Sequence, residues 1–321
     1  MHSVDTELTP EAFEPYRREL TGYCYRMLGS GFEADDAVQE TLVRAWKNAD
    51  TFEGRSSVRS WVYRIATNVC LDMLRASQRR ARPMEIGRSG TNDSDLGPFV
   101  PEHMWVTPIP DARVLPDDGD PADLAEQRET IKLAFVAALQ HLPPKQRAVL
   151  ILREVLRWQA SEVAELLGTT VQSVNSALQR ARATLDTHPV DACDVRNVDP
   201  AQEELLAKYV DAFQRYDINE LVHLLADDAI MSMPPFDLWI QGSQEIVRFF
   251  VGQGAACEGS ILLATSANGC AAFGSYKPDP SGGHAPWSLQ VIETKGDRLV
   301  GHHNFLYPEL FEYFGLPAHL D

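Results

Sequence analysis

The chain has 321 residues, 44% of them hydrophobic, and a formal net charge of −17. That length supports two or three small domains, each with its own core. The acidic balance argues against a free-standing binder of duplex DNA, whose affinity rests on phosphate neutralisation, and no apolar run approaches the roughly eighteen residues that span a bilayer. Met1 to Pro10 carries neither a basic nor an apolar segment, so no secretory leader and no membrane partner are expected. The cysteines Cys24, Cys70, Cys193, Cys257 and Cys270 form no CxxC pair, which predicts a reduced, cytoplasmic chain. Charge is uneven: arginines gather at Arg75, Arg79, Arg80 and Arg82 and again at Arg180 and Arg182, whereas acid dominates from Asp93 to Glu129 and in the last third.

The first block, 9–80, reads as helical. Val38, Leu42, Ala45 and Trp46 follow the spacing of one helix face, with Asp35-Asp36 near the start, where acids suit the dipole. A turn follows at Phe52-Glu53-Gly54-Arg55. Ser56 or Ser57 caps the next helix, whose buried stripe is expected to be Val58, Trp61, Val62, Ile65, Ala66, Val69 and Met73. Arg59, Arg64, Thr67, Asn68 and Arg75 fall on the opposite face. From 81 to 122 the chain is rich in Pro, Gly, Asp and Ser and shows no hydrophobic period, so it is expected to be an acidic, flexible linker.

The second block, 123–187, is helical again. Ile131, Phe135, Ala138, Leu139 and Leu142 make one stripe, and Pro143-Pro144 stops that helix and starts the next. Ala160 to Leu167, a turn at Gly168-Thr169 and a helix from Thr170 form a helix-turn-helix pattern. Val171, Val174, Leu178, Ala181 and Leu185 are expected to face inward. Gln172, Ser173, Asn175, Ser176, Gln179 and Arg180 are expected to face outward, where a recognition helix meets bases and phosphates.

The third block, 200–321, opens with two amphipathic helices, Glu203 to Tyr216 and Asn219 to Ala226. A strand at Ala229 to Met233 and a helix at Gln244 to Val251 follow. Strand-like runs come next at 261–267, 270–276, 287–294 and 299–305. Helices first and an antiparallel sheet after them predict an α+β cone. Met231, Met233, Trp239, Trp287 and His303 are candidate lining for a small-ligand pocket, with core packing as the plainer alternative. Tyr209, Asp228, Asp237 and His303 are of the types a base or oxyanion donor requires. No nucleophile–base pair and no metal-ligand spacing stands out, so no catalytic residue, metal or cofactor is expected. In a strand, His302-His303 sends one ring inward and one outward. The aromatic tail from Phe305 to Pro317 either closes the cone or docks it elsewhere.

The segments Asp35 to Trp46, Phe52 to Arg55 and Trp61 to Asn68 resemble region 2 of the sigma-70 family of RNA polymerase sigma factors. Leu142 to Arg147, the helix-turn-helix and Leu178 to Arg182 resemble region 4. With no region 3 between them, the layout resembles the extracytoplasmic-function group, and the third block resembles the SnoaL-like branch of the NTF2-like fold. The resemblance implies a multidomain protein: all-α region 2 (9–80), a linker (81–122), region 4 (123–187) and an NTF2-like regulatory domain (200–321). It implies a chain without catalysis of its own that binds core RNA polymerase and promoter DNA. Asp36, Gln39, Glu40 and Arg44 would contact the polymerase. Phe52, Arg55, Arg59, Arg64 and Asn68 would capture the melted −10 element, with Arg75, Arg79 and Arg80 along the duplex upstream. The outward face of the last region 4 helix would meet the −35 element, with fewer arginines there than many relatives carry. Two other readings compete: a stand-alone helix-turn-helix regulator that senses a ligand through the cone, and a bifunctional enzyme with turnover in the third block.

Overall fold

The computed structural model describes residues 8–54, 56–75, 79–87, 89–90, 96, 99–187 and 200–321. They form two compact units. The first holds the described residues of 8–80, 112–119 and 133–187; the second holds those of 81–111, 120–132 and 200–321.

The first unit begins with α1 (Arg17–Leu28), α2 (Gly31–Lys47) and α3 (Val58–Leu74). Gly29 ends α1 in the left-handed region at φ 76°, a conformation glycine reaches without a Cβ penalty. Ser30 then caps α2 by accepting the Glu33 N–H. The helix therefore starts a turn earlier than the acidic pair suggested, and Asp35-Asp36 lies in its second turn. Every residue of α1 from Leu20 to Leu28 is buried, so it forms the axis of the bundle. Thr67, expected on the open face of α3, is instead buried and shares a 2.8 Å hydrogen bond with the Tyr23 hydroxyl. Because α1 and α2 both pack on α3, the covered stripe is wider than a single amphipathic seam.

Two short helices of the second unit come next in sequence, α4 (Pro83–Ile86) and α5 (Pro121–Glu129). The first unit resumes with α6 (Leu133–Gln140), α7 (Pro144–Leu150), α8 (Ala160–Leu166) and α9 (Val171–Asp186). α6 is buried nearly all round, with only Phe135 partly exposed, as suits a helix with almost no polar side chain. Pro144 opens α7, as expected. Gly168, at φ 60°, makes the tight turn between α8 and α9, and Thr170 caps α9 by accepting the Ser173 N–H at 3.1 Å.

The second unit contains α10 (Pro200–Gln214), α11 (Ile218–Leu224), β1 (Leu225–Ser232), β2 (Trp239–Gln241), α12 (Ser243–Val251), β3 (Ile261–Ala267), β4 (Cys270–Pro278), β5 (His284–Lys295), β6 (Arg298–Phe305) and α13 (Glu309–Tyr313). The sheet order is β2-β1-β6-β5-β4-β3, antiparallel except for β1 beside β6. Three-residue β2 and the short α13 were not legible, being too short to show a period. Asn268-Gly269 forms the two-residue turn between β3 and β4 with both φ values positive, 56° and 73°.

The expectation of a linker without a buried pattern is corrected by its second half. Trp105 and Ile109 are fully buried and Val106 nearly so. The Ile109 N–H donates to the Asn268 side-chain oxygen at 3.0 Å, the Asn268 N–H returns to the Ile109 carbonyl, and the Asn268 amide donates to the Ile131 carbonyl at 2.6 Å. Gly269 donates to the Asp111 carboxylate at 2.8 Å. Gly90 donates to the Trp239 carbonyl, and the Trp239 indole donates to the Gly87 carbonyl. Proline-rich sequence hid these contacts because segments such as Pro108-Ile109-Pro110 bury side chains in extended chain, with neither helical nor strand periodicity. Among the described residues, no helix is long and apolar enough to cross a membrane.

Candidate nucleic-acid interface

On α2, Asp36, Gln39 and Glu40 are exposed, and Arg44 is half-buried between Glu40 at 2.6 Å and Asp72 at 3.9 Å. Trp46, assigned to the buried stripe, is instead 55% exposed. It stands on the last turn of the same helix. Its fit to the stripe spacing concealed this exposure.

The turn after α2 has an aromatic floor. Trp61 lies between Phe13 at 6.1 Å and Phe52 at 5.2 Å, so Phe52 is held by the core of α3. Gly54 supplies a positive φ of 66°; Arg55 lies outside the described residues. Asn68 is exposed two turns further along α3. The arginines of this face are already engaged. Arg59 forks onto Glu19, at 2.8 Å in its shortest contact, and lies 5.3 Å from the ring centres of both Tyr63 and Trp158. Arg64 pairs with Glu165 of α8 at 3.7 Å. Arg75 pairs with Asp72, and Arg79 meets the His141 ring. Arg80 is corrected: it is buried and bound to Glu33 at 2.5 Å, so it anchors α2 and is not open to a duplex.

Trp158 joins the two helical blocks of this unit. It is buried against Tyr63, with ring centres 5.0 Å apart, and its indole N–H has no hydrogen-bond partner among the described residues. Nearby, Arg147 is buried and donates to the carbonyls of Met27, Gln140 and Leu142. Burial lowers its guanidinium to about 10. The contribution of Trp158 was missed because its partners, Tyr63 and Arg59, lie almost a hundred residues away.

α9 presents the opposite picture. Val174, Leu178 and Ala181 are buried, while Gln172, Asn175, Gln179 and Arg180 are exposed and Ser176 is half-exposed. Val171, expected inside, is 43% exposed. The Ser173 hydroxyl is taken up by the cap, 2.9 Å from that of Thr170, and Arg182 pairs with Glu154 at 2.7 Å. Gln172, Asn175, Ser176 and Gln179 carry no side-chain hydrogen bond among the described residues. A groove of about 510 Å³ runs beside them from Val171 to Arg182.

In the second unit the five candidate pocket residues do not converge, which corrects that expectation. Met231 is opposite His302, whereas Ser232 is opposite His303 and Trp239. Pleating therefore puts Met231 on one face of the sheet and Trp239 and His303 on the other. Met231 and Met233 belong to the core beneath the helices, and Trp287 is exposed with the Lys277 amine over its ring. The helix-covered face is filled by Phe213, Phe250, Phe273 and Tyr209, whose hydroxyl donates to Gln290 at 2.7 Å and meets His302 at 3.0 Å. Burial, and then His303, lower the His302 ring to about 3, so it is neutral. On the other face His303 bridges Ser232 at 2.8 Å and Glu293 at 3.5 Å. Burial alone would raise the Glu293 carboxyl, but His303, with Arg82 and Lys132 further off, brings it down to about 2. Asp228 is exposed and lies outside both clusters.

Comparison with known proteins follows this division. Residues 12–80 match the family model of sigma-70 region 2, 132–185 match sigma-70 region 4, and 201–273 match the nuclear transport factor 2 (NTF2) domain. The chain is 46% identical over 311 residues to the ECF RNA polymerase sigma factor SigG of Mycobacterium tuberculosis, covering 96% of this chain and 83% of the relative. It is 28% identical over 246 residues to SigJ of the same organism, covering 75% and 71%. The crystal structure of SigJ superposes with a TM-score of 0.60 at 22% identity, covering 97% of this chain and all of the other, and so shares its fold. The chain belongs to the extracytoplasmic-function family of RNA polymerase sigma factors, with sigma-70 regions 2 and 4 followed by an NTF2 domain.

Proposed function

We propose that region 2 docks this sigma factor on core RNA polymerase through the α2 face of Asp36, Gln39, Glu40, Arg44 and Trp46. The Phe52 loop with Arg59, Arg64 and Asn68 then takes the melted −10 strand, and the open face of α9 reads the −35 element. The observation that carries the reading is the order of parts within one chain: an aromatic-backed loop on α3, followed by a helix-turn-helix whose outward amides are unbonded. The net charge of −17 leaves duplex affinity to the polymerase.

The same contacts supply regulation. Promoter elements about 25 base pairs apart are separated by about 85 Å at 3.4 Å per pair. Regions 2 and 4, joined here by Trp158–Tyr63 and Arg64–Glu165, must part before both elements are read. The unbonded Trp158 indole, a cost of about 1–3 kcal/mol, keeps that contact weak enough to break. The NTF2 domain acts on the tether: by holding Ile109 and Ile131 through Asn268, and Asp111 through Gly269, it limits how far the two regions separate. Its aromatic-filled interior supports a packing role without turnover.

Run-off transcription with bacterial core polymerase tests this, comparing the full chain with Asn268→Gly, which keeps the left-handed turn but removes both side-chain bonds of the clamp. Start-site-specific transcripts are expected from both, with more from the variant. If neither yields transcripts nor co-elutes with core polymerase, the reading fails and a stand-alone regulator, binding an operator without polymerase, replaces it.

A further inference from the structure

We infer that the −35 element read by this chain is built on A·T pairs, recognised by the side-chain amides of Gln172, Asn175 and Gln179. The inference rests on the −35 role proposed above for α9 and adds the class of base. At 3.6 residues per turn, seven residues fall within about 20° of two full turns. Gln172 and Gln179 therefore lie on one line, opposite the buried Val174, Leu178 and Ala181. Asn175 and Ser176 stand between them beside the groove of about 510 Å³.

Side-chain chemistry then selects the base. In the major groove guanine presents two acceptors, O6 and N7, and is read by the paired donors of arginine or by lysine. Adenine presents one acceptor and one donor, N7 and N6, which a carboxamide matches with its own donor and acceptor. The base-reading part of a recognition helix lies toward its N-terminus, and from Val171 to Gln179 this helix carries no cation. Arg180 stands about 80° round the helix from the Gln172–Gln179 line at 3.6 residues per turn, on the side of the phosphates in this reading, and Arg182 is paired with Glu154. Ser173 is removed from readout by its hydrogen bond to Thr170. Val171, apolar and 43% exposed in the first turn, suits the thymine methyl group of the same pairs.

The test is run-off transcription by the full chain with core polymerase from templates sharing one −10 element and randomised at −35, with sequencing of the transcribed templates. A·T pairs are expected at the positions that respond to α9. Asn175→Ala should flatten the preference at one position. Gln179→Arg should convert another from A·T to G·C by roughly 5- to 150-fold, the range of one good bidentate contact. Selection of G·C pairs by the unmodified chain, no selection at all, or unchanged preferences in both variants overturns the inference while the sigma reading stands. Absence of every transcript overturns both.

Discussion

The two surfaces assigned to promoter DNA treat their polar side chains in opposite ways. On α3 the arginines are occupied, Arg59 by Glu19 beneath Trp158 and Arg64 by Glu165 of α8. On α9 the amides are unbonded and open. The difference follows from the task of each group. A cation meant for phosphates can be held in reserve by an exchangeable carboxylate, since an exposed ion pair is worth at most about 1 kcal/mol. A base-reading amide gains nothing from a protein partner, which would compete with the base edge. Under the proposed function the −10 surface is thus the gated one, and the −35 surface is presented.

The strongest way to break this contrast is Trp158→Ala. Removing a buried tryptophan costs about 3–5 kcal/mol, read as a lowered denaturation midpoint. Transcription per folded molecule should nevertheless rise, because the lost contact joins regions 2 and 4. Equal specific activity would show that Trp158 is core and no gate.

The linker clamp offers a pH-dependent version of the same test. Burial raises Asp111 to about 6, against the opposing effects of the Gly269 N–H, Arg128 and Ser266. A carboxyl whose folded pKa is raised stabilises the fold fully below its unfolded pKa, near 4, and that contribution is lost as pH rises through 6. Protection of the amides around 109–111, exchange taken relative to the intrinsic rate at each pH, should therefore rise between pH 7.5 and 5. Asp111→Asn, which stays neutral, should hold the higher protection at pH 7.5, a gain of about 3 kcal/mol. Unchanged protection would remove Asp111 from the clamp.

Smaller effects separate the two DNA surfaces. Thr170→Ala should cost about 1 kcal/mol through loss of the α9 cap, lowering −35-dependent transcription but leaving polymerase co-elution intact. Glu165→Gln should change stability by less than about 1 kcal/mol while raising the affinity of region 2 for single-stranded −10 DNA, measured by fluorescence anisotropy. A larger stability loss would mean that Glu165 is structural.

Much of this was legible in the chain because it is written locally. Helix caps at Ser57 and Thr170, the proline start of α7, the Gly168 turn and the inward stripe of Val174, Leu178 and Ala181 depend on residues a few positions apart. The misassigned residues Trp46, Thr67 and Val171 all satisfy a period, but period does not tell how wide a face the neighbouring elements cover; Arg80 was placed by its arginine cluster, which does not show that Glu33 buries it.

By itself the sequence determined the order of parts, the two helical DNA-reading blocks and the strand-rich third domain, because propensity, capping and periodicity are near-neighbour properties. Only the tertiary structure decided that Trp158 and Glu165 meet α3, that Asn268 holds Ile109 and Ile131, and that His303 faces away from Met231. Those pairings join residues separated by roughly 70 to 160 positions, and no local rule carries that distance. They depend on which faces are left to bury once each helix and strand has formed.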